Sequence, residues 1–129
     1  MPAPPRPGSS ARLAALARIA AVKREVDLAR LAAASGRLNA SLAARSELDA
    51  ALDAEIRKAL AAPQLPDLRA LDRHILLAEQ ARSALDRRIA DLTATREAER
   101  AEAAQSFGKA LALDRLRARS QTATRPMPQ

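Results

Sequence analysis

Apolar residues recur at helical spacing along most of the chain, and three segments interrupt them. The interruptions contain all the prolines and comprise residues 1–9, 63–66 and 120–129. Between them lie two proline-free stretches of 53 residues each, 10–62 and 67–119. Because proline breaks helices and the apolar period is helical, the pattern predicts two long helices joined by a short turn. Both terminal segments are predicted to be disordered.

The second stretch carries a coiled-coil pattern. Counted from residue 68 in alternating steps of three and four, fifteen positions fall on one face, and ten of them are apolar. The fifteen are Leu68, Leu71, Ile75, Ala78, Arg82, Leu85, Ile89, Leu92, Arg96, Glu99, Ala103, Ser106, Ala110, Leu113 and Arg117. Apolar residues at the a and d positions of successive heptads are typical of a helix that packs along another helix.

The first stretch contains two such registers. One comprises Leu28, Leu31, Leu38, Leu42, Leu52, Ile56 and Ala59, and a shifted one comprises Leu13, Leu16, Ile19, Val22 and Val26. A register shift changes the supercoil locally without breaking the helix. The sequence therefore predicts that the second helix covers both groups.

Equal helix lengths and a short turn predict an all-α fold, two long helices forming an antiparallel coiled-coil hairpin. With the turn centred near residues 64–65, residue i should lie opposite about residue 129 − i. Leu52 should then meet Leu77, and Val22 should meet Phe107, while Leu13 and Leu16 should lie opposite the leucines at 116 and 113. In the middle of the hairpin, residues 93–106 should lie opposite residues 23–36, and one of these two helical segments consists mostly of alanine and charged residues. We therefore expect the middle to be the least stable part of the hairpin.

Two glycines interrupt otherwise good helix. Gly36 and Gly108 each cost about 1 kcal/mol relative to alanine in a helix interior. We interpret both as points of close helix contact or of bending.

The composition is typical of long helices and excludes several classes of functional site. The chain has 34 alanines, 19 leucines and 19 arginines, but one Phe and no Tyr, Trp or Cys. Disulfides and thiolate metal sites are excluded, and His74 is the single histidine. No stretch reaches 18 apolar residues, so none predicts a membrane span. We expect a protein with no enzymatic activity, no cofactor and no small-molecule substrate.

The net charge of +7 is concentrated at the chain ends. Residues 1–24 carry +5 and residues 115–129 carry +4, which leaves −2 for the rest. In a hairpin these ends meet and form one basic end. Its partner could be nucleic acid, an anionic membrane surface or an acidic protein. A protein fits best, because the chain lacks aromatic residues for base stacking and its apolar residues are expected to pair within the hairpin.

Three consecutive apolar residues near the turn cannot all face one seam. These are Ile75, Leu76 and Leu77, next to His74. A locally offset helix pair would bury them. Alternatively, Leu76 marks an exposed apolar strip that docks another protein.

The alanine-rich basic hairpin resembles the FliJ-type flagellar export protein and its counterparts in type III secretion. The resemblance spans residues 10–119 and includes the runs Leu13-Ala14-Ala15-Leu16-Ala17-Arg18-Ile19 and Phe107-Gly108-Lys109-Ala110-Leu111-Ala112-Leu113. In that family the hairpin is similar to the central stalk of rotary ATPases. The resemblance implies a bacterial, cytoplasmic, monomeric protein peripheral to the inner-membrane export apparatus.

The same resemblance implies two partners. The basic end would insert into a hexameric export ATPase, with contacts from Arg12, Arg18, Arg24, Arg115, Arg117 and Arg119. The turn half would face the export gate protein through His74, Leu76 and Leu77.

Two other functions remain open at this point. One is a secretion chaperone or adaptor, or an oligomeric coiled-coil scaffold, that binds a partner helix. The other is binding of nucleic acid by the basic end, which we do not expect without stacking aromatics.

Overall fold

The fold is a helical hairpin. The computed structural model describes residues 9–65 and 67–124. Helix α1 spans Ser9–Ala61 and helix α2 spans Leu68–Thr124, and the two helices pack against each other, as the sequence predicted. The ion pairs Arg45–Asp86 and Asp49–Arg82 give the antiparallel direction, because the number of one partner rises as that of the other falls.

The chain divides into two compact units. The terminal unit comprises residues 1–32 and 98–129, and the turn unit comprises residues 33–97. Each therefore contains one segment of α1 and one of α2.

The turn between the helices is short because strong signals end one helix and begin the next. Helix α1 ends two residues before Pro63, whose ring disfavours helical conformation in the residue that precedes it. Asp67 is the N-cap of α2, since its Oδ1 accepts hydrogen bonds from the backbone amides of Arg69 and Ala70 at 3.1 and 3.2 Å. This carboxylate satisfies two amides that have no partner within the helix.

Both outer boundaries differ from those predicted. Helix α1 begins at Ser9, one residue earlier, and α2 continues to Thr124, five residues past the predicted end at 119. No proline or glycine interrupts residues 109–124, and the Thr122 hydroxyl donates to the carbonyl of Ala118 at 2.8 Å. The remaining predicted disorder, at residues 1–8 and 125–129, lies outside the described residues.

The predicted seam of α2 is confirmed. Twelve of its fifteen positions are buried or half-buried, and the exceptions are Leu68, Arg82 and Arg117. Leu68 begins the helix, and Arg82 reaches out to Asp49 with 3.6 Å between Nη2 and Oδ2. Strong apolar periodicity in a long helix was therefore sufficient to assign its buried face.

The predicted register shift in α1 is wrong. From residue 13 to residue 52 one continuous heptad register faces α2, with Leu13, Ala17, Ala20, Arg24, Asp27, Leu31, Ala34, Leu38, Ser41, Arg45, Leu48 and Leu52 buried or half-buried. Among the residues of the shifted register, Leu16, Ile19, Val22 and Val26 are 43–66% exposed. Leu28 and Leu42, from the main predicted register, are also largely exposed.

Side-chain size gives a physical reason for this seam. A continuous register keeps one face of α1 on α2 without local unwinding. Alanines at positions 17, 34, 103 and 110 are buried and let the helix backbones approach closely. In the terminal part of α1 the larger β-branched residues Ile19, Val22 and Val26 are left on the outside. The expected Val22–Phe107 contact is absent from the seam, since these side chains are 63% and 54% exposed.

Neither internal glycine is a point of close contact. A Cβ atom added at Gly36 or Gly108 would meet no atom within 4 Å outside the local helix backbone. The close-packing interpretation is therefore wrong at both positions.

We expect Gly36→Ala and Gly108→Ala each to raise the free energy of unfolding by about 1 kcal/mol, because alanine restricts the unfolded chain without a clash in the fold. Urea unfolding followed by circular dichroism measures this change. The reciprocal variants Ala40→Gly and Ala112→Gly, at exposed helical positions, should lose a similar amount. A loss of stability in either alanine variant would contradict the open environment of that glycine.

Candidate functional site

The net charge lies entirely in the terminal unit. Residues 1–32 and 98–129 contain twelve basic and five acidic side chains, which gives +7. Residues 33–97 contain ten of each, and their net charge is zero. The sequence is thus partitioned into a cationic unit and a neutral one.

The basic residues from the two helices lie at the same level of the terminal unit. Lys23 Nζ lies 3.4 Å from Ser106 Oγ, which fixes the local pairing of α1 with α2. Both helices rise by the same distance per residue. Eleven residues from Lys23 and from Ser106 toward the chain ends, Arg12 on α1 and Arg117 on α2 therefore lie at the same level. Antiparallel pairing therefore places the basic residues near the start of α1 beside those near the end of α2.

Five of the six arginines assigned to this end are exposed: Arg12, Arg18, Arg115, Arg117 and Arg119. Within the described residues, none of the five forms an ion pair. Unpaired and exposed guanidinium groups are suited to bidentate contacts with carboxylates of another molecule.

Arg24 differs from the other five. It occupies the seam of α1 and is half-buried, and its Nη2 lies 3.4 Å from Glu25 Oε1. Its Nε is buried without a hydrogen-bond partner. Arg24 therefore lies in the helix seam and not on the exposed cationic surface, because the heptad register turns this side chain toward α2. Its contact with the ATPase stays a prediction.

A polar cluster lies inside the terminal unit at the helix seam. Asp27 and Ser106 are each only 3% exposed. Lys23 Nζ donates to Asp27 Oδ2 at 2.8 Å, and Ser106 Oγ also donates to Asp27 Oδ2. Lys23 Nζ further lies 3.6 Å from Glu102 Oε2. The ammonium group thus connects α1 with α2 through both a hydroxyl and a carboxylate.

These contacts shift two pKa values in opposite directions. Hydrogen bonds from Lys23 and Ser106 hold the pKa of the Asp27 carboxyl below its ordinary value. The hydrogen bond to Asp27 raises the pKa of the Lys23 ammonium above its ordinary value. Both shifts favour the charged form of each group.

The stabilisation from Asp27 is expected to disappear in acid. Because the folded-state pKa lies below the unfolded value, the contribution is full above the ordinary value of 3.8 and is lost as the pH falls through the lowered pKa. The Lys23 contribution is full below 10.5 and is lost as the pH rises through the raised pKa.

Urea unfolding of the wild type and Asp27→Asn over the acidic range measures this change. The stability gap between them should stay constant at neutral pH and close in acid. A gap for Asp27→Asn that does not vary with pH would contradict the assignment.

An apolar groove on the outside of α1 was missed by the sequence reasoning. It is lined by Arg18, Ile19, Val22, Lys23, Val26, Asp27 and Arg30. The apolar members had been assigned to the seam because they are more hydrophobic than the alanines beside them. The signal that could have found the groove was the unbroken spacing from Leu13 through Ala17 and Ala20 to Leu31.

The three turn-side candidates are all exposed, but they do not form one strip. Leu77 and His74 line a groove that also includes Leu48 and Leu52, so Leu52 and Leu77 border the same depression. Leu76 is 54% exposed and lines a different groove, with Glu79, Gln80, Ser83, Ala84 and Arg87. Leu77 is 63% exposed, so an offset helix pair does not bury these two leucines. Ile75 is half-buried in the seam of α2.

Residues 9–65 and 67–124 contain no group of three or more His, Asp or Glu side chains that could hold a metal ion. Neither helix contains, within those residues, an apolar stretch long enough to cross a membrane.

Comparisons with protein families, with curated proteins and with solved structures find no match to this chain.

Proposed function

We propose that this protein is a non-catalytic coiled-coil stalk of a flagellar or type III protein export apparatus, which binds the export ATPase ring through its terminal unit and the export gate through its turn unit. The proposal follows the resemblance to the FliJ-type family. It assigns the protein to the cytoplasmic side of the inner membrane, as a monomer that joins a larger assembly.

The observation that carries the proposal is the partition of charge. All of the net +7 lies in the terminal unit, and the turn unit is neutral. A hairpin with one cationic unit has an asymmetric field, which steers that unit toward an acidic surface and sets the orientation of binding. A stalk requires such a polarity, because its two ends contact different partners.

The turn unit supplies the second contact. His74 and Leu77 border one groove and Leu76 another, so exposed apolar side chains flank the seam of a unit without net charge. Contacts of this kind are expected to depend little on salt, whereas contacts of the terminal unit should weaken as ionic strength rises.

The test adds purified full-length protein to the export ATPase of the same organism at low ionic strength. We expect a saturable rise in ATP hydrolysis and co-elution on size exclusion, and both should weaken as salt is added. Unchanged hydrolysis at saturating protein, together with separate elution, would reject the stalk.

The alternative function is an adaptor, a secretion chaperone or an oligomeric scaffold that binds a partner helix. The exposed apolar face of α1 in the terminal unit favours it, because such faces mark protein contacts. Light scattering distinguishes a scaffold from a stalk: a stalk should have a mass near the 13.8 kDa of one chain, and a scaffold should be at least a dimer.

A further inference from the structure

The exposed side of α1 in the terminal unit carries a second heptad seam. Its positions are Ala15, Ile19, Val22, Val26 and Ala29, spaced by four, three, four and three residues. Ile19 is 66%, Val22 63% and Val26 43% exposed. We name these five residues the outer seam. α1 thus has the spacing of a coiled-coil helix on two faces, and α2 covers only one of them.

The residues that flank the outer seam are predominantly basic. In a coiled coil the positions beside a and d select the partner by charge. Here these positions hold Leu16, Arg18, Lys23, Glu25 and Arg30, and the three basic residues among them line the groove. Within the described residues, Arg18 and Arg30 form no ion pair, while Glu25 contacts Arg24 and Lys23 contacts Asp27. The charge of Arg30 helps to lower the pKa of Asp27 without an ion pair to it. The charges left available to a partner are therefore positive.

Neither terminal segment of this chain supplies an acidic complement to the outer seam. Residues 1–8 and 125–129 contain no Asp or Glu. A second copy would bring two terminal units of +7 each into contact, and like charges at that density oppose association.

We propose that the outer seam binds an acidic amphipathic helix of a partner protein, which packs on α1 as a third helix beside α2. Apolar residues of that helix at heptad spacing would contact Ile19, Val22 and Val26, and its Glu or Asp residues would pair with Arg18 and Arg30. This inference does not require the export ATPase as partner, because it concerns a face of α1 alone. Arg18 is the one residue it shares with the arginines assigned to the ATPase-binding end.

A helix explains the groove better than a membrane surface does. The 3–4 spacing produces a narrow stripe of β-branched residues, as in a coiled-coil seam. Helices that lie on membranes present a wide apolar face with Trp, Phe or Leu, and none of these occupies the five positions of the outer seam. Leu16, 50% exposed, lies beside the seam at a flanking position and widens the apolar stripe at that point only.

The test uses full-length protein and two labelled synthetic peptides of about three heptads each. Both peptides have Leu at a and d; one has Glu at e and g, and the other has Lys there. Fluorescence anisotropy should give saturable binding of the Glu peptide, at least about tenfold tighter than that of the Lys peptide. No saturable binding of the Glu peptide would overturn the proposal.

Matched variants locate the binding surface. Ile19→Ser with Val22→Ser should weaken binding of the Glu peptide at least about tenfold, since two exposed apolar anchors are removed. The control, Leu42→Ser with Leu60→Ser, removes two exposed leucines of the turn unit, 37% and 74% exposed, and should leave the affinity unchanged. Equal losses in both variants, or no loss in the first, would contradict the proposal.

A charge exchange provides a test that a folding defect cannot imitate. Arg18→Glu with Arg30→Glu should reverse the preference, so that the Lys peptide binds more tightly than the Glu peptide.

Vesicles of phosphatidylcholine and phosphatidylglycerol test the alternative that the outer seam binds a membrane surface. Binding to these vesicles that requires Ile19 and Val22, without peptide binding, would overturn the proposal in favour of a membrane surface. Peptide binding without stimulation of the export ATPase would reject the stalk and leave the outer seam supported.

Discussion

Replacing Leu38 with alanine should lower the free energy of unfolding by about 2–5 kcal/mol, the range for a buried leucine that leaves a cavity. Leu38 is 3% exposed, and the other apolar residues buried to a similar degree in the described residues are alanines. It therefore contributes more apolar surface at one point of the seam than any of them. Because a native domain is stabilised by about 5–15 kcal/mol in total, the variant should unfold at a clearly lower urea concentration than the wild type.

Leu42→Ala is the matched control. Leu42 lies one turn further along α1 and is 37% exposed, so its truncation should cost less than about 1 kcal/mol. Urea unfolding followed at 222 nm compares the two variants. Equal losses would contradict the single continuous register of α1, because that register places Leu38 inside and Leu42 outside.

Reversing three charges at the chain end should abolish stimulation of the export ATPase if the proposed stalk is correct. In the variant Arg115→Glu, Arg117→Glu, Arg119→Glu, the net charge of the terminal unit falls from +7 to +1. Attraction to an acidic ring then largely disappears, and like charges face each other at the contact. We expect stimulation at a fixed protein concentration to fall at least about tenfold.

A second charge reversal controls for the total charge of the chain. Arg69→Glu, Arg73→Glu, Arg87→Glu gives the same whole-chain charge but leaves the terminal unit at +7. All three positions are exposed. This control should stimulate the ATPase as the wild type does. Equal losses in the two variants would attribute the effect to overall charge and reject a binding end.

The buried face of α2 could be predicted from sequence, whereas that of α1 could not. In α2 the apolar residues are large and recur in one register, so hydrophobicity and geometry give the same answer. In α1 they disagree: Ile19 and Val22 are the more hydrophobic residues, but Ala17 and Ala20 continue the register. The unbroken heptad register determines which face of α1 is buried, because a helix that is paired over many turns cannot change its buried face without distortion.

The sequence alone could not predict which polar residues are buried in the seam. Asp27 is buried because Ser106, 79 residues away, and Lys23 satisfy its carboxylate. A buried charge is tolerated only with such partners, and which partner lies opposite depends on the pairing of the helices. The charge partition, in contrast, followed directly from the sequence once a hairpin was inferred.

The most direct test of the proposed function asks which end of the hairpin contacts the ATPase. The chain contains no cysteine, so Arg117→Cys and Gln64→Cys each provide a single site for a benzophenone-maleimide cross-linker. Photolysis in the presence of the export ATPase, followed by mass spectrometry, identifies the contacting end. The stalk predicts cross-links to the ATPase from position 117 and none from position 64. Cross-links from position 64 alone, or from neither position, would contradict it.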